Sequence, residues 1–362
     1  MPHTPPRLLL LLSTVLALAV GFAACGGNGE EAPTAPATSG AASPSPSGPP
    51  EKVTFMAGFK PQANLPFVGA YIAQKKGFFA EQNLDVTIQH VSTPGDNFRF
   101  LASGEIQFST ADAASILERR SADPPLPIVS IALIGQRGQQ GFAVLANSGI
   151  QSPKDWVGKT AGYKGSKPTP DYLAILAQEG IDRSSIQEVR VGFEPQILTE
   201  GQVDIFPVFL SNEPDTLRRL GYQTNLFEAA DYGAPTLGLT YVATEKFIRE
   251  KPDVVLRFLK AVLKGIQYAA NNRQEAVDIV LQFAPQEDRA HQQYMLETEL
   301  QAALLGQAYQ NGIGWQTAEQ WKALHDFLVQ YQGISRPLPD PNAAFSDQFL
   351  KQAYKNGELV WP

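Results

Sequence analysis

Between Lys52 and Gly135 the apolar pattern switches repeatedly from strand-like runs to a helical period, and that alternation confines the chain to an α/β architecture. "KVTFMAG" reads as a strand and "FVGAYIAQKKGFF" as an amphipathic helix ending at Gly77. "LDVTIQHV" is a second strand, followed by a short helix, "DNFRFLASG", capped by Asp96 and closed by Gly104. "IQFSTA" runs into the helix "DAASILERR", and "LPIVSIALIG" has the uniformly apolar composition of a buried strand. Strands separated by such helices predict βαβ units and a mostly parallel sheet.

The pattern restarts near Gly141 with the strand "GFAVLAN", a helical turn "SPKDWVG" and the strand "KTAGY". The loop "KGSKP" leads to a helix with Thr169 as N-cap and Pro170 at its first position. The strands "SIQEVRV" and "QVDIFPVF", the helix "NEPDTLRRLG" and the strand "PTLGLTYVAT" follow. From Glu245 onward the signals are almost wholly helical. Two α/β stretches and a helical last third predict two lobes, with the chain crossing between them twice. The crossings fall in "GQRGQQG" and "PTLGLTY", where glycine permits hinge dihedrals. Ligands of open α/β sheets gather at the carboxyl ends of the strands, so two facing sheets predict a closing cleft.

Ahead of this body, Arg7 precedes a long uncharged run ending in "GFAAC", the proportions of an export signal. Cys25, the only cysteine, directly follows Ala23-Ala24, as in the bacterial lipoprotein signal, which implies cleavage after residue 24 and acylation of Cys25. Residues 25–50 are rich in Pro, Ser, Ala and Gly and lack the apolar surface to fold. They read as a tether reaching roughly 30 Å. One acyl chain holds a protein marginally and two hold it firmly. The expected location is therefore exported and lipid-anchored at the outer face of the cytoplasmic membrane.

The chain has 29 Lys and Arg against 36 Asp and Glu, net −7, and loss of the leader with Arg7 takes this to −8. Such a body is not drawn to nucleic acid. A single cysteine leaves no intramolecular disulfide and no thiolate metal site. Catalytic signals are absent. The histidines are His3, His90, His291 and His325, none at metal-ligand spacing, and the last two read as surface or packing residues of helices. "SPKDWVGKT" has Pro153 where a phosphate-binding loop needs its first glycine. No cofactor or metal is expected, and the chain reads as a monomeric binding protein rather than an enzyme.

"FKPQANLPFVGAYIAQKKGFFAEQNLDVTIQ" resembles the opening of the periplasmic binding proteins for thiamine-precursor pyrimidines, riboflavin and aliphatic sulfonates. "LASGEIQFSTADAASILERR", "GKTAGYKGS" and "EGQVDIFPVFLSNEPDTLRRLGY" continue the likeness, which spans most of residues 53–270. The resemblance implies a type II-like, two-lobed periplasmic-binding-protein fold with two mixed sheets flanked by helices and a ligand cleft between the lobes. The expected parts are residues 51–140 in lobe 1, 141–240 in lobe 2, and 241–362 returning to lobe 1 with the C-terminal helices. It also implies delivery of ligand to an ABC-importer permease. The family includes a thiamine-pyrimidine synthase with an active-site histidine and a cysteine-rich motif. The loop "NLPF" has no histidine, and the body has no cysteine, which argues against that activity. Within the family, "KPQANLPFVGAY" and "PVFLSNEPDTLRRLGY" most resemble the riboflavin-binding lipoproteins, making riboflavin the first expected ligand and a thiamine-pyrimidine precursor the second.

Flavins and pyrimidines offer flat faces and hydrogen-bonding edges, which call for aromatic walls and a few polar partners. Strand-end loops and adjoining helix starts supply Asn64, Phe67, Tyr71, Asp112, Arg137, Gln139, Tyr163, Phe209, Asn212, Glu213 and Tyr241. Each has a competing structural role. Asn64 can fix its own turn, Phe67 and Tyr71 can be core, Asp112 and Asn212 can cap helices, and Arg137 can face water. The rival ligand is an anion such as a sulfonate or nitrate, held by Ser166, Lys167 and Thr169 at a helix start. Asp171 in that first turn already answers the helix dipole.

Overall fold

The computed structural model describes residues 48–362. The expected leader, Cys25 and all but the last three residues of the tether lie outside the described residues.

Five strands form the first sheet: β1 (Glu51–Ala57), β2 (Leu84–His90), β3 (Phe108–Asp112), β4 (Ile128–Leu133) and β10 (Leu239–Thr244). Their order is β2-β1-β3-β10-β4. β1 lies parallel to β2 and β3, as the βαβ pattern requires, with Val53 opposite Val86. β10 is antiparallel to both β3 and β4, so the sheet is mixed rather than wholly parallel. The cause is topological: β10 re-enters from the second sheet and not through a right-handed crossover helix.

The chain leaves the first sheet after Leu133 and builds the second from residues between Gln140 and Glu228. β5 (Gln140–Leu145) is the centre of an antiparallel triplet with β8 (Phe206–Phe209) and β9 (Thr224–Glu228). β6 (Thr160–Tyr163) pairs in parallel with β7 (Gln187–Arg190), and a parallel bridge from Ala161 to Ile205 joins this pair to the triplet. The outgoing and returning strands run side by side. Gly238 N–H donates to Gly135 O at 2.8 Å, and Gly138 N–H to Thr236 O at 3.1 Å. A β-carbon on Gly135 would stand 2.9 Å from Gly238 Cα, so the two passes touch backbone to backbone.

Six helices matter for the site: α1 (Leu65–Lys75), α2 (Ala113–Ser121), α3 (Pro170–Glu179), α4 (Glu213–Arg219), α5 (Pro252–Asn271) and α6 (Arg289–Ala303). α1 and α5 cross where Gly69 meets Gly265, and a β-carbon on Gly265 would fall 2.1 Å from Gly69 O. Beneath them, Phe258 of α5 stacks on Phe108 of β3 with ring centres 3.8 Å apart. The first turn of α1 is tied to the first sheet through β10, where Tyr241 donates to Pro66 O at 2.5 Å. Sequence boundaries differ only locally: the helix Asp96–Ser103 has Gly95, not Asp96, as N-cap, and "SPKDWVG" is a 3₁₀ turn closed by a Ser152–Asp155 capping box.

Candidate ligand cleft

The carboxyl ends of β1, β3, β6, β7 and β8 converge on one cleft of about 640 Å³. The first sheet supplies Phe59, Lys60 and Gln62 after β1, Asn64 and Phe67 at the start of α1, and Asp112 at the end of β3. The second supplies Lys164, Asp171, the Phe193–Pro195 turn, and Phe209, Asn212 and Glu213. Glu287 and His291, at the start of α6, close one side.

Its walls are aromatic. Phe59, Phe67, Phe98, Phe142, Phe193 and Phe209 all line it, and Phe193 keeps 59% of its surface exposed. An exposed ring on a cleft wall offers a flat ligand a face to stack on.

Its charges divide into neutralised cations and free acids. Lys164 Nζ donates to Glu213 Oε1 at 2.6 Å, while Glu213 Oε2 accepts from Phe209 N–H at 2.7 Å. The ammonium of Lys164 also lies 5.3 Å from the Phe193 ring centre. Lys60 pairs with Glu287 at 2.6 Å. His291 is held through Nδ1 by Asp215 at 2.8 Å and through Nε2 by Asn212 Oδ1 at 2.9 Å. Asp112 and Asp171 make no ion pair among the described residues; Asp112 has only a long bond, 3.5 Å, from Gln140 Nε2. Burial pushes the Asp112 carboxyl up to about 6, against the pull of Gln140. Burial likewise raises Asp171 to about 6, and the charge of Asp112 adds to it. Two carboxyl groups from different sheets therefore share one field.

Asn64 is buried at the N-cap of α1 but makes no capping bond. Gln62 Nε2 donates to its Oδ1 at 2.6 Å, and its own amide donates to Glu299 Oε1 at 2.5 Å. One amide hydrogen of Asn64 is left for the cleft.

Of the sequence-predicted residues, Asn64, Phe67, Asp112, Phe209, Asn212 and Glu213 meet in this cleft. The others do not. Tyr71 is buried, stacked on Phe283 with ring centres 4.1 Å apart and bonded to His90 Nε2 at 2.8 Å, because one helical turn beyond Phe67 carries it into the core. Tyr241 points back from β10 and donates to Pro66 O at 2.5 Å. Arg137 turns outward to Glu228 and Asp231, at 2.6 and 2.7 Å. Gln139 is buried beneath the crossing, its backbone carbonyl accepting from Leu210 N–H at 2.7 Å. Tyr163 lines a separate recess of about 10 Å³, beside Tyr172. Ser166 is exposed outside the cleft, and Lys167 is spent on Gln332 O. The anion site expected at Ser166–Thr169 is thus not assembled; of those residues only Thr169 reaches the cleft, where it caps α3.

Sequence reasoning missed Lys164, Phe193 and Asp171 as site residues, and it read His291 as a surface or packing residue. The strand-end rule applied to every loop would have found the first two, in "YKGS" and "VGFEP". His291 carried no local signal, since its partners lie 76 and 79 residues away.

A family model described as "NMT1/THI5 like" matches residues 64–276. The formylaminopyrimidine-binding protein of Halalkalibacterium halodurans is 29% identical over 80% of this chain and 88% of its own. Riboflavin-binding protein RibY of Chloroflexus aurantiacus is 27% identical over 88% of this chain and 92% of its own. Among solved structures, the periplasmic aliphatic sulphonate binding protein SsuA of Escherichia coli superposes with a TM-score of 0.64 at 11% identity, covering 83% of this chain and 99% of that one. That last likeness is one of fold: a periplasmic-binding-protein architecture.

Proposed function

Since the chain belongs to the NMT1/THI5-like family, we propose that it is the substrate-binding component of an ABC importer, capturing a small aromatic nitrogen heterocycle in the cleft and presenting it to a permease. One observation carries this reading: aromatic walls surround three carboxyl groups without an ion pair among the described residues, Asp112, Asp171 and Glu194, while each lysine lining the cleft is already neutralised. A sulfonate or nitrate would enter a field of the wrong sign. A flat ring with N–H donors on its edge satisfies both features.

The charge balance also separates the two expected heterocycles. Riboflavin's polar edge carries one N–H between two carbonyl acceptors, which would oppose Asp112 and Asp171. A 4-aminopyrimidine offers an amino donor beside a basic ring nitrogen, and one proton shared between that nitrogen and a carboxyl group completes a bidentate pair. The aminopyrimidine therefore moves ahead of riboflavin. The identities to a formylaminopyrimidine-binding and a riboflavin-binding protein support the heterocycle class. The same two relatives support a binding rather than a catalytic role, and the first-strand loop lacks the histidine expected of the synthases.

The test is a thermal-shift and calorimetric series against formylaminopyrimidine, riboflavin, taurine and nitrate. Stabilisation by formylaminopyrimidine, with taurine and nitrate inert, is the expected result. Stabilisation by taurine or nitrate alone overturns the reading. Acylation of Cys25 is part of the same proposal, with the chain lipid-anchored at the outer face of the membrane. Metabolic labelling with an alkynyl fatty acid is expected to mark the wild type and not Cys25→Ser.

A further inference from the structure

Behind the cleft, α6 touches both of its walls. On the first-sheet side, Ala63 N–H donates to Gln292 Oε1 at 2.7 Å, and Leu65 N–H donates to Glu299 Oε2 at 2.6 Å. On the second-sheet side, Tyr294 donates to Leu210 O at 3.0 Å, His291 binds Asn212 and Asp215, and Ser211 Oγ donates to Glu299 Oε1 at 3.2 Å. Glu299 is the one side chain of α6 seen bonding to both walls: the Asn64–Leu65 turn that opens α1 and the Ser211 turn that follows β8. It is buried, with 5% of its surface exposed, and no cation pairs with it among the described residues.

An ionised carboxylate only accepts hydrogen bonds, and all three neighbours here are donors. We infer that Glu299 is a positioning residue whose ionised carboxylate sets the spacing of the cleft walls and the orientation of Asn64, so that its protonation loosens the two walls from one another. The inference rests on the cleft being the ligand site, but its mechanism needs no particular ligand. Protonation removes the negative charge that the three donors share, and a proton on Oε1, whose two acceptor positions are both taken, faces a donor. Ser211 can rotate to accept it, at the loss of its own bond; Leu65 N–H and the Asn64 amide have no such freedom.

The transition falls in a useful range. Burial pushes the Glu299 carboxyl up to about 7, the Leu65, Asn64 and Ser211 donors pull it down, and the field of Asp112 adds to the rise. The other charges on neighbouring elements are already paired: Lys60 with Glu287, Lys164 with Glu213, Asp215 with Arg218 and His291, and Arg137 with Glu228 and Asp231. Asp112 and Asp171, both raised to about 6 and without an ion pair among the described residues, are the groups whose titration overlaps.

The test reads wall spacing without ligand. Spin labels go on Ala102→Cys beside the first sheet and Gln223→Cys beside the second, in the full chain carrying Cys25→Ser. Distance distributions are taken by pulsed electron resonance from pH 5.5 to 8.5, with circular dichroism confirming the fold at each point. The wild type is expected to give a narrow distribution at pH 8.5 that broadens with a midpoint near 7. Glu299→Gln is expected to be broad and independent of pH, and Glu299→Asp to restore the titration. Ser211→Ala, which removes a donor to the carboxylate, is expected to shift the midpoint upward, and it tests the inference independently should Glu299→Gln fail to fold. A wild-type distribution unchanged across this range overturns the inference, as does pH dependence that survives in Glu299→Gln. Because no ligand enters the readout, an error in ligand class leaves this result standing.

Discussion

Asp112 and Asp171 are the residues at which ligand chemistry and stability oppose each other. Both carboxyl groups titrate near 6, above their unfolded values, so folding takes up protons. The stability they confer is fully present below about pH 4 and is lost as pH rises through about 6. Asp112→Asn and Asp171→Asn are each expected to stabilise the ligand-free protein by about 1 kcal/mol at pH 8. The same variants are expected to weaken aminopyrimidine binding by about tenfold or more, since each removes a charged acceptor from a donor edge. Melting curves and calorimetry at pH 5 and 8 check both halves, and the affinity loss should shrink at the lower pH. Asp112 was legible in the sequence because it ends an apolar strand and opens a helix, a purely local pattern. Its partner Asp171 was visible too, but only as a helix-dipole residue. That the two share a field depends on how two sheets separated by the crossing come together, which no local pattern encodes. The Asn64–Glu299 bond spans 235 residues and left no trace for the same reason.

At the scale of elements, α1 is placed by its crossing with α5, where Gly69 and Gly265 bring the backbones into contact. Gly265→Ala forces a β-carbon against Gly69 O. It is expected to destabilise by about 3 kcal/mol and to weaken ligand binding, because the N-terminus of α1 carries Asn64 and Phe67 into the cleft. Gly149→Ala tests only backbone strain, as open space surrounds it at φ +82°. Its affinity should stay unchanged while its stability falls by about 1 kcal/mol. Chemical denaturation with calorimetry on both variants separates packing from conformation. Helix α3 marks what sequence does reveal at this scale: Thr169 accepts from Tyr172 N–H and Pro170 opens the helix, as read from four adjacent residues. The direction of β10 was not legible, since an antiparallel return and a parallel one present the same apolar run.

For the molecule as a whole, we expect the paired passes at Gly135 and Gly238 to be the pivot about which the cleft closes. Gly238→Ala, whose β-carbon would stand 3.1 Å from Gly135 Cα, is expected to shift the open–closed balance. Its signature is a changed affinity with a small-angle scattering profile displaced from wild type, while the Asp112 and Asp171 groups still titrate. Two lobes were legible because the strand–helix alternation restarts near Gly141; the contact between the passes was not, because it joins segments a hundred residues apart. The direction of β1 has a practical bearing. The strand enters at Glu51, pairs along its length with β2, and delivers Gly58, Phe59 and Lys60 to the cleft at its far end, roughly 20 Å away. A sensor chip that holds the body at Glu51 therefore grips the end of β1 opposite the cleft, whereas coupling through amines attacks Lys60 and Lys164 inside it. Immobilisation chemistry alone should decide whether such a chip responds.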